Sequence, residues 1–269
     1  MRYYGTYESE YEREEHGMGM AERRSSIVDF VNTEGSVTFA QIKRMFPDVS
    51  EMTLRTDLKS LDQTHEIIRV HGGAKSVGFA VGTDDLLARR TSRRCAEKLA
   101  IAQKAKDLIT PGHTIFIDSG STTTALASTM EDMELLVFTN SLTVASELAK
   151  LERVMTMVVG GRLNRYSMST MGARPIEEVR RMTFDQVFLG ATGYQRREGF
   201  SCGSDDEAVF KQTLVERSHK RIVLMDSSKE GRPSTFKFCS LRDVNTVVSD
   251  GSQSAEFSLA CEDNGVKLL

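Results

Sequence analysis

The chain lacks paired cysteine motifs, long apolar runs and any excess of basic charge, and each absence removes a class of function. Its four cysteines, Cys95, Cys202, Cys239 and Cys261, are scattered with no C-x-x-C spacing. Neither a zinc centre nor a disulfide framework is expected, and no metal ligand set is assigned. No segment approaches the roughly 18 apolar residues that a membrane span requires. The first residues, acidic and rich in tyrosine, hold no apolar core of a signal peptide. The expected location is the cytoplasm, with no membrane partner. The formal net charge is -3, which does not by itself point to nucleic acid. No local excess is hidden beneath it, because between Ala21 and Lys75 eight basic residues are matched by eight acidic ones.

What is present fits two soluble domains. The chain has 269 residues, 27% charged and 39% hydrophobic, enough apolar surface for a sizeable core. Residues 1–20 carry tyrosines among glutamates without apolar periodicity and read as a mobile tail. Ile27, Phe30 and Val31 then share one helical face, which the turn from Asn32 to Gly35 ends. Thr38 and Gln41 form a T-x-x-Q capping box, predicting a short helix that carries Ile42, Met45 and Phe46 and stops at Pro47-Asp48. Ser50 is placed to cap a third helix, whose Leu54, Leu58 and Leu61 make a narrow apolar stripe. On the opposite side lie Met52, Thr56 and Lys59, flanked by Thr53, Arg55 and Ser60. Ile67 to Val70 read as a strand that Gly72-Gly73 turns into a hairpin.

Helix, short helix, turn, capped helix and hairpin describe a mainly α winged helix-turn-helix over residues 21–76, with its third helix in the major groove. The expected DNA contacts are Ser50, Met52, Thr53, Arg55, Thr56, Lys59, Arg69 and His71. The string Val49-Ser50-Glu51-Met52-Thr53-Leu54-Arg55-Thr56-Asp57-Leu58, followed by Arg69-Val70-His71-Gly72-Gly73-Ala74, resembles the N-terminal signature of the DeoR family of repressors. It departs from the family pattern at Thr56, in the turn from Phe46 to Val49, and at His65.

Residues 77–93 read as a linker, and 94–269 as a second domain. Near their junction Arg89, Arg90, Arg93, Arg94, Lys98, Lys104 and Lys106 face only Glu97, and the expected explanation is a solvated helix face. Short apolar runs then alternate with helix-compatible segments: Ile115–Asp118, Leu136–Asn140, Met155–Val159, Gln186–Leu189, Ile222–Asp226 and Thr246–Asp250. This predicts a doubly wound, Rossmann-like α/β domain with ligands outside the carboxyl ends of its strands.

Asp118-Ser119-Gly120-Ser121-Thr122-Thr123-Thr124 lies where the first such strand ends and a helix begins, the outline of an anion cradle. It lacks the Gly-Lys-Ser/Thr of a nucleotide loop and the G-x-G-x-x-G of a dinucleotide site, and no cofactor is expected. Ordinary helix capping explains the same hydroxyls. Strand ends at Asn140, Gly161 and Gly190 should converge on the same rim. These strings, through Asp226-Ser227-Ser228-Lys229-Glu230-Gly231, resemble the sensor domain of the DeoR family, which in turn is similar to ribose-5-phosphate isomerase. The resemblance implies that Gly120, Ser121, Thr122 and Thr123 hold a phosphate, that Asn140 lines the pocket, and that Lys211 and Lys229 touch the ligand. Asp118, Gly161 and Gly190 complete the expected effector site. Asp205, Asp206 and Glu207 read individually as surface ion pairs.

The expected function is a repressor of a carbohydrate operon that binds operator double-stranded DNA as a homo-oligomer, dimer or tetramer, and is released by a phosphorylated sugar. The alternatives are a sugar-phosphate isomerase, with Asp205 or Glu207 as base and Lys229 as stabiliser, and a DNA-binding scaffold without a ligand.

Overall fold

The computed structural model describes residues 19–64, 66–70, 72–76 and 87–269. The chain separates into two compact units that divide after Val77. The expected tail up to residue 18, His65, His71 and linker residues 77–86 lie outside the described residues.

The first unit runs α1 (Met20–Glu34), β1 (Ser36–Thr38), α2 (Phe39–Met45), α3 (Glu51–Gln63), β2 (Ile67–Val70) and β3 (Gly73–Ser76). Both bonds of the capping box form: Gln41 N donates to Thr38 Oγ1 at 3.3 Å, and Thr38 N donates to Gln41 Oε1 at 2.7 Å. Ser50 Oγ accepts from Thr53 N at 3.1 Å, which starts α3. Leu54, Leu58 and Leu61 pack with Ile27, Val31, Ile42 and Phe46 in one core. Met45 is 45% exposed. The helix ends at Met45, and Phe46, at φ -128° and ψ 69°, turns its ring inward instead.

Strands β2 and β3 form the expected hairpin, and β1 pairs with β3 to complete a small antiparallel sheet in the order β1-β3-β2. At Gly73 the two backbones approach so closely that an added Cβ would stand 2.0 Å from the Val37 carbonyl oxygen. Gly73→Ala should therefore displace β1 or the wing, at a cost of about 1–3 kcal/mol. Urea unfolding of the full chain checks this, and an unchanged midpoint would refute the close approach.

The second unit begins with α4 (Leu87–Ser92), inside the expected linker, and α5 (Cys95–Lys106). Then come β4 (Thr114–Ile117), α6 (Ser121–Thr129), β5 (Leu135–Thr139), α7 (Leu142–Leu148), β6 (Val154–Val158), β7 (Arg162–Asn164), β8 (Ser169–Met171) and α8 (Ala173–Arg180). The remainder is β9 (Phe184–Gly190), β10 (Gly193–Gln195), β11 (Gly199–Cys202), α9 (Asp205–Glu216), β12 (Ser218–Leu224), β13 (Phe236–Cys239), β14 (Thr246–Val248), α10 (Ala255–Asp263) and β15 (Lys267–Leu268).

Seven strands form one parallel sheet in the order β15-β14-β12-β9-β4-β5-β6. Alternate residues enter different cores. Ile115, Ile117, Phe188, Ile222 and Leu224 pack with α5, α6 and α7 on one face. Phe116, Val187, Leu189 and Val223 pack with α8, α9 and α10 on the other. Burial on both faces explains why these strands read as unbroken apolar runs. A smaller antiparallel sheet, β10-β11-β13, covers part of the second face through Phe200 and Phe238.

The basic stretch is only in part a solvated face, with Arg94 exposed and Lys98 buried. Lys98 is buried and donates to the carbonyls of Arg90 and Arg93, and Lys104 Nζ donates to Ser249 O at 2.9 Å. Arg94 reaches Asp226 Oδ1 at 3.4 Å and Asp250 Oδ2 at 3.3 Å, both carboxylates being buried. Lys98 ties α5 to α4 and the turn after it, while Arg94 and Lys104 fasten α5 to the strand ends of β12 and β14. Burial pushes the Lys98 ammonium below its usual range, with Asp226 opposing the shift.

Candidate functional site

Two surfaces carry the expected chemistry, one in each unit. On the first, α3 presents Met52, Arg55, Thr56 and Lys59 to solvent, while its leucine face is buried. Ser50 and Thr53 open the helix, and their hydroxyls lie 2.8 Å apart, so part of their polar capacity serves the cap. The Arg55 guanidinium lies 4.5 Å above the Phe39 ring and 3.2 Å from Glu51, in the open. Thr56 donates to the carbonyl of Met52 at 2.9 Å. Arg69 is exposed on β2, its backbone N–H held by Asp62 Oδ1 at 2.8 Å. The remaining wing residue, His71, is outside the described residues.

The sequence reading missed what holds α3 in place. Asp57 is buried among the leucines and accepts from Arg23 Nε at 2.7 Å and Arg24 Nε at 2.8 Å. The two arginines of α1 thereby fix the orientation of α3. A signal was present, because Asp57 falls three residues after Leu54 and four before Leu61, on the apolar stripe itself.

On the second surface the chain leaves β4, builds β5 and β6 to one side, and returns to place β9 on the other. The gap between the carboxyl ends of β4 and β9 is the topological switch point of the sheet, where ligands of such folds bind. Asp118, Ser119 and Gly120 follow β4 directly. Gly120 has φ 154° and ψ 166° and caps α6 without a side chain, so the first N–H groups of that helix meet no capping oxygen. Thr123 and Thr124 donate back to the Gly120 carbonyl at 3.0 and 2.7 Å, which closes the turn. Among the described residues Ser121 and Thr122 show no side-chain partner, and both are half-buried.

The floor of this gap is a buried charge cluster. Lys211 Nζ lies 2.9 Å from Asp118 Oδ2, 2.9 Å from Glu207 Oε1 and 2.6 Å from Gly190 O. An ammonium has three donors, and all three are committed. Burial works to strip the proton from Lys211, but Asp118 and Glu207 outweigh it and hold the ammonium above its usual range. Asp118 Oδ2 also accepts from Gly190 N at 3.1 Å, tying β4 to β9. Its other oxygen, Oδ1, is buried without a partner, as is Oδ1 of Asn140 at the end of the adjacent β5.

The structure thus brings Asp118, Gly120–Thr123, Asn140, Gly190 and Lys211 to one rim. It accounts differently for Gly161, two strands from β4, where an added Cβ would stand 3.0 Å from Met171 O and 3.1 Å from Pro175. Lys229 is half-buried on a 3-10 turn after β12, near Lys98. Asp205 and Asp206 are exposed, as read, whereas Glu207 is buried against Lys211 rather than on the surface. Two surface cavities, of about 300 and about 490 Å³, lie elsewhere, lined by Tyr194, Arg196 and Phe257 and by Arg174, Glu177 and Arg181 respectively. Among the described residues no helix is long and apolar enough to cross a membrane.

Known proteins are similar to this chain in sequence. Residues 23–78 match the DeoR-like helix-turn-helix domain, and residues 93–251 match the DeoR C-terminal sensor domain. An uncharacterised HTH-type transcriptional regulator of Bacillus subtilis, YulB, is 32% identical over 93% of this chain and 96% of its own length. A lactose phosphotransferase system repressor of Staphylococcus epidermidis is 30% identical over 87% of this chain and 94% of its own. Among solved structures, a ribose 5-phosphate isomerase A from Methanocaldococcus jannaschii aligns with 49% of this chain and 53% of its own, at a TM-score of 0.37 and 16% identity. With both domain types matched in the order the fold presents them, the chain belongs to the DeoR family, as a helix-turn-helix transcriptional regulator with a C-terminal sensor domain.

Proposed function

We propose that this regulator is a repressor of a carbohydrate operon, acting in the cytoplasm, whose grip on operator DNA changes when a phosphorylated sugar occupies the rim between β4 and β9. The observation that carries the reading is a pairing of opposite needs at one place. The uncapped start of α6 offers N–H donors and a positive dipole end to an anion. Beside it the buried oxygens Asp118 Oδ1 and Asn140 Oδ1 lack donors. A phosphate at one end of a molecule and hydroxyls along the rest would satisfy both. Lys211, its donors already committed, acts as the floor that orients Asp118 and Gly190 rather than as the phosphate ligand.

The isomerase alternative fares worse against the same geometry, because Glu207 is held by the Lys211 ammonium and Asp205 is exposed. A thermal-shift panel of aldose and ketose phosphates, each beside its unphosphorylated sugar, tests the effector reading. Stabilisation is expected only from phosphorylated members. Equal shifts from the free sugars would overturn the cradle.

For DNA, the exposed Met52, Arg55, Thr56 and Lys59 would meet base edges and phosphates, with Ser50 and Thr53 at the helix start and Arg69 and His71 on the wing. Two half-sites would engage a dimer or larger assembly. Arg55→Ala should weaken operator binding by about 1–3 kcal/mol, roughly 5- to 150-fold. Its exposed ion pair with Glu51 and its stacking over Phe39 each contribute at most about 1 kcal/mol to folding, so the thermal midpoint should fall by no more than a few degrees. Wild-type operator affinity in this variant, measured by gel shift, would reject the placement of α3.

A further inference from the structure

The two edges of the parallel sheet are treated in opposite ways. At one end β15 is two residues long and carries Lys267, the usual protection of an open edge. At the other, β6 is five residues long, uncharged, and apolar apart from Thr156. Met155, Met157 and Val158 are 65%, 47% and 46% exposed on it. Leu142, Leu163 and Met168, in the adjoining α7 and β7–β8 segments, are exposed as well. Side chains of this size present on the order of several hundred Å² of apolar surface together. That is the central part of the roughly 800 Å² per partner that a standard interface covers.

The strand is also its own complement. Val154-Met155-Thr156-Met157-Val158 reads the same in both directions. Laid antiparallel against a copy of itself about Thr156, it sets Val154 against Val158, Met155 against Met157 and Thr156 against Thr156. The backbone phase agrees. Val159 N donates inward to Thr139 O at 2.8 Å, so by the alternation of a strand Met155 and Met157 also turn inward, toward β5. Val154, Thr156 and Val158 then turn their N–H and C=O groups to the open edge. The side chain at the centre lacks a partner too, since Thr156 Oγ1 is buried without a hydrogen bond. Facing its own mate it would gain one, as cross-strand threonine pairs do.

We infer that β6 is a homodimer interface: it pairs antiparallel with β6 of a second copy across a two-fold axis through Thr156, continuing the parallel sheet from one subunit into the next. The choice of a second copy rests on this self-complementarity. It is in keeping with the proposed reading of a two-fold operator, yet its test uses neither DNA nor sugar, so either idea can fail alone.

Two measurements on the full chain test it. Thr156→Lys places like charges face to face on the axis and should halve the solution mass by light scattering, with circular dichroism unchanged. Separately, in a Cys95→Ser background, chains bearing Met155→Cys are mixed with chains bearing Met157→Cys under mild oxidation. These positions form a non-hydrogen-bonded pair with Cα atoms about 4.5 Å apart, within disulfide reach. The mixture should give a covalent dimer that dithiothreitol reverses, and neither variant alone should. Wild-type protein that is monomeric at tens of micromolar would overturn the inference. So would a Thr156→Lys variant of unchanged mass, or a mixture that crosslinks no better than its components; the mixture decides the matter if Thr156→Lys fails to fold.

Discussion

Lys211→Ala should be among the most destabilising single changes in the sensor unit, at about 3–5 kcal/mol. The lysine is 2% exposed, and removing it leaves the carboxylates of Asp118 and Glu207 without their shared cation. It also removes the donor that holds the Gly190 carbonyl, so the β4–β9 gap loses its floor. Urea unfolding followed by circular dichroism should show a lower midpoint, and Glu207→Gln should cost less because Asp118 still neutralises the ammonium. The pH dependence has a definite sign. A group whose folded value is raised contributes stability that is full below its unfolded value and lost as pH rises through the folded one. The lysine contribution should therefore be flat from about pH 6 to 9 and disappear only under strongly alkaline conditions. A Lys211→Ala protein of wild-type stability would show that the cluster is not what supports the rim.

Gly120→Val is the corresponding test of the rim itself. Its φ of 154° with ψ 166° lies in a region that is essentially glycine's own. A Cβ there would stand 3.3 Å from Thr123 Oγ1, tight before the valine methyls are added. The turn must move, and the N–H groups at the start of α6 move with it. Sugar-phosphate affinity, read by calorimetry, should fall about 5- to 150-fold, since strain of about 1–3 kcal/mol is introduced where the anion is held. Operator affinity without sugar should be unchanged, because the recognition helix belongs to the other unit. Unaltered effector affinity would remove the phosphate from this loop.

Much of this fold was legible because burial on both faces leaves a plain trace. Ile115–Asp118, Leu136–Asn140 and Ile222–Asp226 are apolar runs that needed no alternation to be read as strands, and each coincides with one to within a few residues. The helix-turn-helix was legible for another reason, its caps at Thr38 and Ser50 being local chemistry. Outside the wing hairpin, short antiparallel pieces were not. β1, β10 and β11 have three or four residues each, with glycines at Gly193 and Gly199, and exist because a neighbouring strand is there to pair with.

Charges were misread in one consistent direction. Lys98, Glu207 and Arg94 were taken as solvated because most charged residues are, yet each is tied to a partner distant in sequence or buried by packing. The Glu207 to Lys211 spacing of four was a helical pair in view, but only the fold supplies Asp118 as the third member.

The central claim is that sugar phosphate at the β4–β9 rim and DNA at α3 are coupled, and operator affinity measured by fluorescence anisotropy across a phosphosugar titration tests it most directly. At least one phosphorylated sugar should weaken operator binding by about 5- to 150-fold, the span of a typical coupling free energy. Its unphosphorylated counterpart should leave the affinity alone, and Gly120→Val should shift the response to much higher concentration. An operator affinity that ignores every phosphorylated sugar, or that responds equally to the free sugars, would contradict the account.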